Sequence, residues 1–186
     1  MVRMLVSIAV VTLGTMFLVA VSRHSLAHPR SHGFSRFFAF EAILCLVVLN
    51  LPHWFERPLA PKQIASWTLL TAALFLAIHG FHLLRVLGRP SAPPPGSPTY
   101  RFENTATLVT IGAYRYIRHP MYSSLLLLAW GAGFKDLSVP AVVLGLVATM
   151  FLLRTAKTEE EENITRFGDG YREYMRRTRL FVPFVW

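Results

Sequence analysis

Apolar runs long enough to cross a membrane decide what this chain can fold into. The first covers residues 4–21, eighteen residues without a charge, and a helix of that length crosses most of a hydrocarbon core about 30 Å thick. A basic residue, here Arg3, followed by an apolar run is also typical of a secretory signal peptide. The run is long for a signal peptide and other apolar runs follow, so we interpret it as a retained transmembrane helix.

Four further apolar runs follow, at 36–51, 64–87, 121–134 and 139–153. The run at 121–134 has only fourteen residues, so we expect it to form a tight helical hairpin with the last run. Gly131 and Gly133, near the turn, would let these two helices approach closely. The sequence therefore predicts an all-α integral membrane protein with about five transmembrane helices, the last two forming a hairpin.

Composition agrees with a small polytopic membrane protein. Of the 186 residues 53% are apolar, and the mean hydropathy of +0.42 is high for a soluble domain. The net charge of +9 is that of a membrane protein with basic cytoplasmic loops, and the chain contains no recognisable nucleic-acid-binding module. A single cysteine, Cys45, excludes an intrachain disulfide.

The pattern predicts one membrane domain, residues 1–186, in three parts. Residues 1–87 hold three spans, residues 88–106 form a linker rich in proline, glycine and serine, and residues 107–186 form a core and tail. The charged tail is interrupted by glycines at 168 and 170. We therefore expect a helix, a break, and a second basic helix lying along the membrane surface.

The distribution of basic residues predicts the orientation. Four lie on the side of the N-terminus and fifteen on the other side. Because basic loops stay in the cytoplasm, the C-terminal tail is expected there and the N-terminus outside.

Several polar residues in or beside the spans leave alternatives open. Glu41 is either functional or paired with Arg36 or a lipid head group. His79 and His82, three residues apart on one helix face, either ligate a metal or haem or form hydrogen bonds within the bundle. The histidine-containing segment 22–35 is broken by proline and glycine, so we interpret it as a solvated basic loop rather than a metal site.

Two motifs stand out beside the last two apolar runs. Residues 112–122 read GAYRYIRHPMY, and residues 159–162 are four consecutive glutamates. Because only the hairpin joins them, both face the same aqueous compartment and can enclose a pocket flanked by lipid. Carboxylates and tyrosine faces there would suit a charged, water-soluble cofactor that acts on a membrane-resident acceptor. The alternative is that the basic residues merely anchor the helix and the glutamates are a solvated face.

The ordered motif Gly112-x-Tyr114-x3-Arg118-His119-Pro120-x-Tyr122, then Glu159-Glu160, Phe167-Gly168-x2-Tyr171-x2-Tyr174 and Pro183, resembles the C-terminal core of the isoprenylcysteine carboxyl methyltransferase family. That family is related to the phospholipid N-methyltransferases, and the resemblance covers residues 107–186. It implies S-adenosylmethionine as cofactor, a lipophilic or lipid-modified substrate, and no metal. The residues that it implies for the cofactor pocket are Tyr114, Arg118, His119, Pro120, Tyr122, Glu159, Glu160, Tyr171 and Tyr174.

The chemistry suggests one further residue. A carboxylate acceptor is ionised at neutral pH and needs a cation to hold it, for which Arg154 is our first choice and Lys157 the alternative. A thiol or amine acceptor would also have to lose a proton, to His119 or a glutamate. The N-terminal half, which the resemblance does not cover, is expected to choose the acceptor.

Two other classes of protein share features with this sequence. Sterol reductases that use NADPH have a similar membrane architecture, an R-H-x-x-Y-type motif and a tyrosine-rich tail, but carry additional spans. A non-enzymatic or haem-associated membrane protein built around His79 and His82 is the other alternative.

Overall fold

The computed structural model describes residues 1–89 and 105–183, and over these residues the chain is helical. An isolated parallel bridge joins Ile117 and Arg179. The prediction of an all-α protein is confirmed, whereas most of the predicted linker 88–106 lies outside the described residues. The elements are α1 (Val2–Leu26), α2 (His32–Asn50), a 3-10 helix (Leu51–His53), α3 (Pro61–Leu87), a second 3-10 helix (Gly112–Arg115), α4 (Pro120–Gly133), α5 (Val139–Phe167) and α6 (Asp169–Arg177).

Four helical segments in the described part of the chain are long and apolar enough to cross a membrane: Val2–Leu26, His32–His53, Pro61–Leu87 and Val139–Phe167. The chain is thus built as a multi-pass membrane protein. Helix α4, with 14 residues, is shorter than any of them, so the fifth span stays a prediction.

Both ends of the short helix α4 are fixed by specific residues. Pro120 occupies its first turn, where the missing N–H costs nothing and the fixed φ favours the helix. At the other end the buried Asn50 of α2 donates from Nδ2 to the carbonyls of Ala132 (2.8 Å) and Asp136 (3.3 Å). These contacts satisfy carbonyls that a helix end otherwise leaves without a partner.

Lys135, directly after α4, is fully buried although the sequence places it in a loop. Its Nζ donates to Gln63 Oε1 at 3.0 Å and lies 3.5 Å from the ring centroid of Trp67. Burial lowers the pKa of this ammonium group. The turn between α4 and α5 is therefore attached to α3 by a cation inside an aromatic cage.

Helix packing differs in one respect from the prediction. Helices α4 and α5 are consecutive and in contact, but α4 packs more extensively on α3, and α5 on α2. Gly131, expected to serve the contact between α4 and α5, faces α3 instead, where a Cβ atom would lie 2.9 Å from Leu70. Helix α1 packs on α2, and its Thr15 donates to Glu41 at 2.9 Å. Glu41 thus has a hydrogen-bond partner in the first helix.

Helix α5 continues well past the expected end of its apolar run. It includes the four glutamates and ends only at Gly168, whose φ of +57° no ordinary helical residue adopts. Its 29 residues span about 43 Å at 1.5 Å per residue, more than a hydrocarbon core requires. The last three turns of α5 therefore carry polar groups beside the beginnings of α2 and α4.

Candidate functional site

A cavity of about 270 Å³ lies where α2 and α4 begin and α3 and α5 end. This volume is near the lower limit of small-molecule sites, about 300 Å³. Seven of the ten predicted site residues line it. They are Tyr114, Arg118, His119, Tyr122, Glu159, Tyr171 and Tyr174.

The backbone of the motif at 116–119 is held by a later segment of the chain. The N–H of Arg118 donates to the carbonyl of Arg179 at 2.7 Å, and the N–H of Arg179 donates to the carbonyl of Tyr116 at 3.0 Å. The N–H of His119 reaches the carbonyl of Leu180 at 3.3 Å. We call residues 178–181 the strap, because they pair with the motif before α4 begins.

The turn that leads into the motif depends on Gly112 and on His79 of α3. Gly112 has a φ of +60°, and a Cβ atom there would lie 2.7 Å from His79 Nε2. That nitrogen instead accepts the backbone N–H of Ala113 at 3.4 Å. His82 is exposed, and the described residues contain no cluster of three or more potential metal ligands. His79 therefore supports a turn, which favours the hydrogen-bonding alternative.

Arg118 joins three elements around the site. Its Nε forms a short hydrogen bond with Glu160 of α5, and its Nη1 donates to the carbonyls of Thr178 (2.5 Å) and Met175 (3.3 Å). The Arg118 and Glu160 side chains are only 13% and 12% exposed. Arg118 therefore pairs with α5 and at the same time caps the C-terminus of α6.

His119 stands between two carboxylates. Its Nδ1 lies 3.9 Å from Glu159 Oε2 and its Nε2 lies 3.7 Å from Glu160 Oε1. The ring stacks on Tyr122 with a centroid distance of 5.4 Å. The buried Nε2 has no hydrogen-bond partner in the described part of the chain. A buried polar atom without a partner is costly, so the imidazole is available to interact with a ligand.

Glu159 faces the cavity and is surrounded by phenol side chains. The hydroxyl of Tyr122 donates a short hydrogen bond to Glu159, and the hydroxyl of Tyr174 donates to the carbonyl of Tyr114 at 2.7 Å. Burial, reinforced by the negative charge of Glu159, raises the pKa of Tyr114 and of Tyr171. These phenols stay neutral, and the carboxylate is the anionic group within an aromatic wall.

Three predicted residues lie outside the lining. Pro120 is buried as the first residue of α4, and Glu160 lies in the wall, held by Arg118. Arg154 is exposed and lines a separate shallow depression with Lys157. Glu159 follows Arg154 by five positions, so the two side chains point about 140° apart around the helix axis. The structure therefore does not bring Arg154 to the cavity that the other residues share.

The sequence missed several residues of the cavity. Asn163 follows Glu159 by four residues and lines the cavity beside it, so helical spacing could have found it. Arg36 and Phe40 of α2 also line the cavity, and Arg36 is only 5% exposed. No spacing rule relates them to the motif, because they come from another part of the chain.

The beginning of α2 is buried, which corrects the prediction of a solvated loop at 22–35. Helix α1 extends to Leu26 and α2 starts at His32, which is 2% exposed. His32 Nδ1 lies 2.6 Å from Glu162 Oε2, and its backbone N–H donates to Glu162 Oε1 at 3.2 Å. This clamp between His32 and Glu162 fixes α2 against the charged end of α5.

Comparison with known proteins assigns the chain to a family. A family model described as phospholipid methyltransferase matches residues 64–169, more than half of the chain. The chain belongs to the phospholipid methyltransferase family. The matched region includes the motif at 112–122 and the glutamates at 159–162, the two features that meet in the cavity.

Relatives within this family confirm the resemblance to the isoprenylcysteine carboxyl methyltransferases. A methanethiol S-methyltransferase of Pseudomonas deceptionensis is 30% identical over 118 residues, 63% of this chain and 42% of the relative. A probable protein-S-isoprenylcysteine O-methyltransferase of Oryza sativa subsp. indica is 27% identical over 150 residues, 78% of this chain and 77% of the relative. The human protein-S-isoprenylcysteine O-methyltransferase is 35% identical over 86 residues, 45% of this chain and 30% of the relative. The chain spans about two fifths of the length of the methanethiol S-methyltransferases that it matches. No solved structure matches the chain.

Proposed function

We propose that this protein transfers a methyl group from S-adenosylmethionine to a lipophilic, membrane-resident acceptor. The observation that carries the proposal is the placement of Glu159 in a cavity with two unlike walls. One wall is polar and aromatic, and the other consists of apolar side chains from α2, α3 and α4. Such a cavity suits a charged donor and a lipid-soluble acceptor at the same time.

The polar wall fits the chemistry of the donor. S-adenosylmethionine supplies a methyl group already activated on a positively charged sulfonium, and it carries an ammonium group as well. Glu159 offers the carboxylate for a cation, and the faces of Tyr114, Tyr122 and Tyr171 favour positive charge nearby. The unpartnered Nε2 of His119 leaves one buried polar atom in the wall unsatisfied. In this assignment Glu160 and Pro120 support the wall rather than contact the donor.

The apolar wall fits the acceptor. Phe40, Ala77 and Leu125, each half-buried, line the cavity from α2, α3 and α4 respectively, and an acceptor bound against them would exclude water from the site. Exclusion of water strengthens the electrostatic interactions of the site and prevents hydrolysis. The acceptor that we propose is therefore a lipophilic small molecule or a lipid-modified group that enters from the membrane.

The residues of the site have different tasks for different acceptors. The relatives carry names that specify a thiol in one case and an isoprenylcysteine oxygen in the other. A carboxylate acceptor needs only to be held and aligned, because no proton moves. A thiol must lose its proton, and His119, between Glu159 and Glu160, is the group placed to take it.

The orientation belongs to the same proposal. Fifteen of the nineteen basic residues lie on the side of the cavity and the tail, which supports a cytoplasmic site where a soluble donor is available. The chain then acts as one membrane domain.

Binding of S-adenosylmethionine to the detergent-purified protein, measured by calorimetry, tests the donor assignment. Glu159→Gln removes the anion that faces the cavity, and we expect binding to weaken about tenfold or more. Glu161→Gln is the matched control, because Glu161 is exposed and does not line the cavity; it should bind within about twofold of the wild type. Absence of binding to the wild-type protein would refute the proposal.

Incubation of membranes with isotopically labelled S-adenosylmethionine tests the reaction itself. Mass spectrometry of the lipid and protein fractions should find label in a lipophilic product, and Glu159→Gln should reduce it while Glu161→Gln should not. Oxidation of NADPH with a sterol-like substrate, without methyl transfer, would instead favour the reductase class.

A further inference from the structure

The shallow depression on the outer face of α5 has two chemically different ends. Arg154 and Lys157 line one end, and apolar side chains of the same helix line the other. Leu146 and Met150, at the apolar end, are 54% and 55% exposed. Leu146, Met150 and Arg154 follow one another at four-residue spacing, so they lie on one side of the helix. We call these three residues and Lys157 the outer stripe, which changes from apolar to cationic along a helix long enough to cross a membrane.

The two cations of the outer stripe are available to an anionic group. Arg154 and Lys157 are both exposed and three positions apart, so their charged ends can reach one ligand. Within residues 1–89 and 105–183 neither forms an ion pair, whereas Arg177 of α6 pairs with Glu173 at 2.6 Å. A phosphate bound between the two cations would accept charge-assisted hydrogen bonds from both.

The apolar end of the depression borders an aromatic ring of α4. Thr149 lines the depression, and the Nε1–H of Trp130 donates to its Oγ1 at 3.2 Å. Gly145 gives the indole room, because a Cβ atom there would already lie 3.5 Å from the Trp130 ring. The hydrogen bond satisfies the polar atom of the indole, which leaves its ring as an apolar surface. A hydrocarbon chain in the depression therefore lies close to Trp130.

We propose that the outer stripe binds an anionic phospholipid, with the phosphate at Arg154 and Lys157 and an acyl chain along Met150 and Leu146. A net negative head group complements the two cations, and the chain complements the exposed apolar side chains. A zwitterionic phospholipid fits less well, because its own cation offsets the charge of its phosphate. This inference goes beyond the proposed function, since the stripe lies on a different face of α5 from Glu159 and contains no reacting group.

The bound lipid fixes the depth of α5 in the membrane. Arg154 and Glu159 are five positions apart on this helix, a rise of about 7.5 Å. A head group held at Arg154 therefore keeps Glu159, and with it the cavity, at a constant height beside the lipid phosphates. The role of Arg154 is then to anchor the helix that carries the site, and not to contact a ligand inside the cavity.

Brominated lipids test the inference on the wild-type protein, because bromine on an acyl chain quenches the fluorescence of an indole that it touches. The full chain is placed in phosphatidylcholine nanodiscs, into which brominated phosphatidylglycerol or brominated phosphatidylcholine is titrated. The Trp130 signal is the difference between the wild type and Trp130→Phe. We expect the anionic lipid to quench it at a roughly 10- to 30-fold lower mole fraction, as for two basic residues at a membrane surface. Equal quenching by the two lipids would overturn the inference.

A double substitution then tests the two cations. In Arg154→Gln/Lys157→Gln the preference for phosphatidylglycerol should fall to within about twofold, both in quenching and in the lipid retained in native mass spectrometry. Arg172→Gln/Arg177→Gln is the matched control, because it removes the same charge from exposed residues of α6 that are already in ion pairs. The control should keep most of the preference. A preference that persists without Arg154 and Lys157, or that falls equally in both double variants, would overturn the assignment.

Competition with a soluble anion distinguishes a lipid site from a phosphate site. Inorganic phosphate, added at constant ionic strength, should leave the quenching by brominated phosphatidylglycerol unchanged, because it gains nothing from the apolar end of the stripe. Displacement of the lipid by phosphate would overturn the inference in favour of a free anion. Calorimetry with S-adenosylmethionine is independent of these measurements. A protein that binds this donor but shows no preference for the anionic lipid would overturn the inference and leave the proposed function intact.

Discussion

Replacement of Arg118 by methionine should destabilise the protein far more than removal of an ordinary ion pair. The substitution keeps much of the side-chain volume but leaves the Glu160 carboxylate, 12% exposed, without its partner. Removing one member of a buried pair costs about 3–5 kcal/mol. Because both side chains retain some exposure, we expect about 3 kcal/mol. At about 2–4 °C per kcal/mol for a chain of this size, the melting temperature should fall by roughly 6–12 °C.

A double-mutant cycle with Glu160→Gln measures the interaction directly. The double variant should lose less stability than the sum of the losses in the two single variants. The difference, which is the coupling energy of the pair, should be about 2 kcal/mol. Thermal unfolding in detergent gives the relative stabilities, and proteolysis after Met175 reports on the end of α6 that Arg118 caps. Arg177→Met is the control, since its pair with Glu173 is exposed and screened by solvent, so its loss should shift the melting temperature far less.

The result that would refute this reasoning is a melting temperature for Arg118→Met no lower than that of Arg177→Met. A coupling near zero between Arg118 and Glu160 would likewise show that the contact contributes nothing.

Two further substitutions test the turn and the carboxylate at the cavity. Gly112→Ala introduces a Cβ at a φ of +60° and should destabilise the protein by about 1–2 kcal/mol in thermal unfolding. Gly170→Ala, in a helix with open space around it, should instead stabilise the protein by about 0.5–1 kcal/mol. Equal effects of the two substitutions would contradict the geometry. Tyr122→Phe removes the hydroxyl that donates to the cavity carboxylate and should change donor affinity by about tenfold in calorimetry, while Tyr116→Phe, outside the cavity lining, should leave it unchanged.

Local sequence signals predicted the elements around the site well. Pro120 marks the start of α4, Gly168 marks the end of α5, and the apolar runs locate the four long helices. These signals act within a few residues of the chain, so a sequence displays them directly. The predicted tail of a helix, a break at the glycines and a second helix is confirmed by α5, Gly168 and α6, although hydropathy by itself marked only the part of α5 up to residue 153.

Contacts between distant segments could not be predicted in the same way. Arg36 and Glu159 are more than a hundred residues apart, and only the packing of α2 on α5 brings both to one cavity. Gly131 shows the same limit, because a small residue permits close approach without specifying the neighbouring helix. Arg154 is different: the helical phase relative to Glu159 was available from the sequence and would have placed it on the outer face.

The strap sets the order in which the site is assembled during synthesis. Arg118 and the carbonyl of Thr178 that it contacts are 60 residues apart, so at about 5–20 residues per second the strap leaves the ribosome roughly 3–12 s after the motif. Until then the N–H groups of Arg118 and His119 and the carbonyl of Tyr116 lack their partners in the strap, although α1 to α4 have already been translated. Insertion into the membrane therefore precedes completion of the cavity, and a chain stalled before the strap is a membrane protein without a finished site.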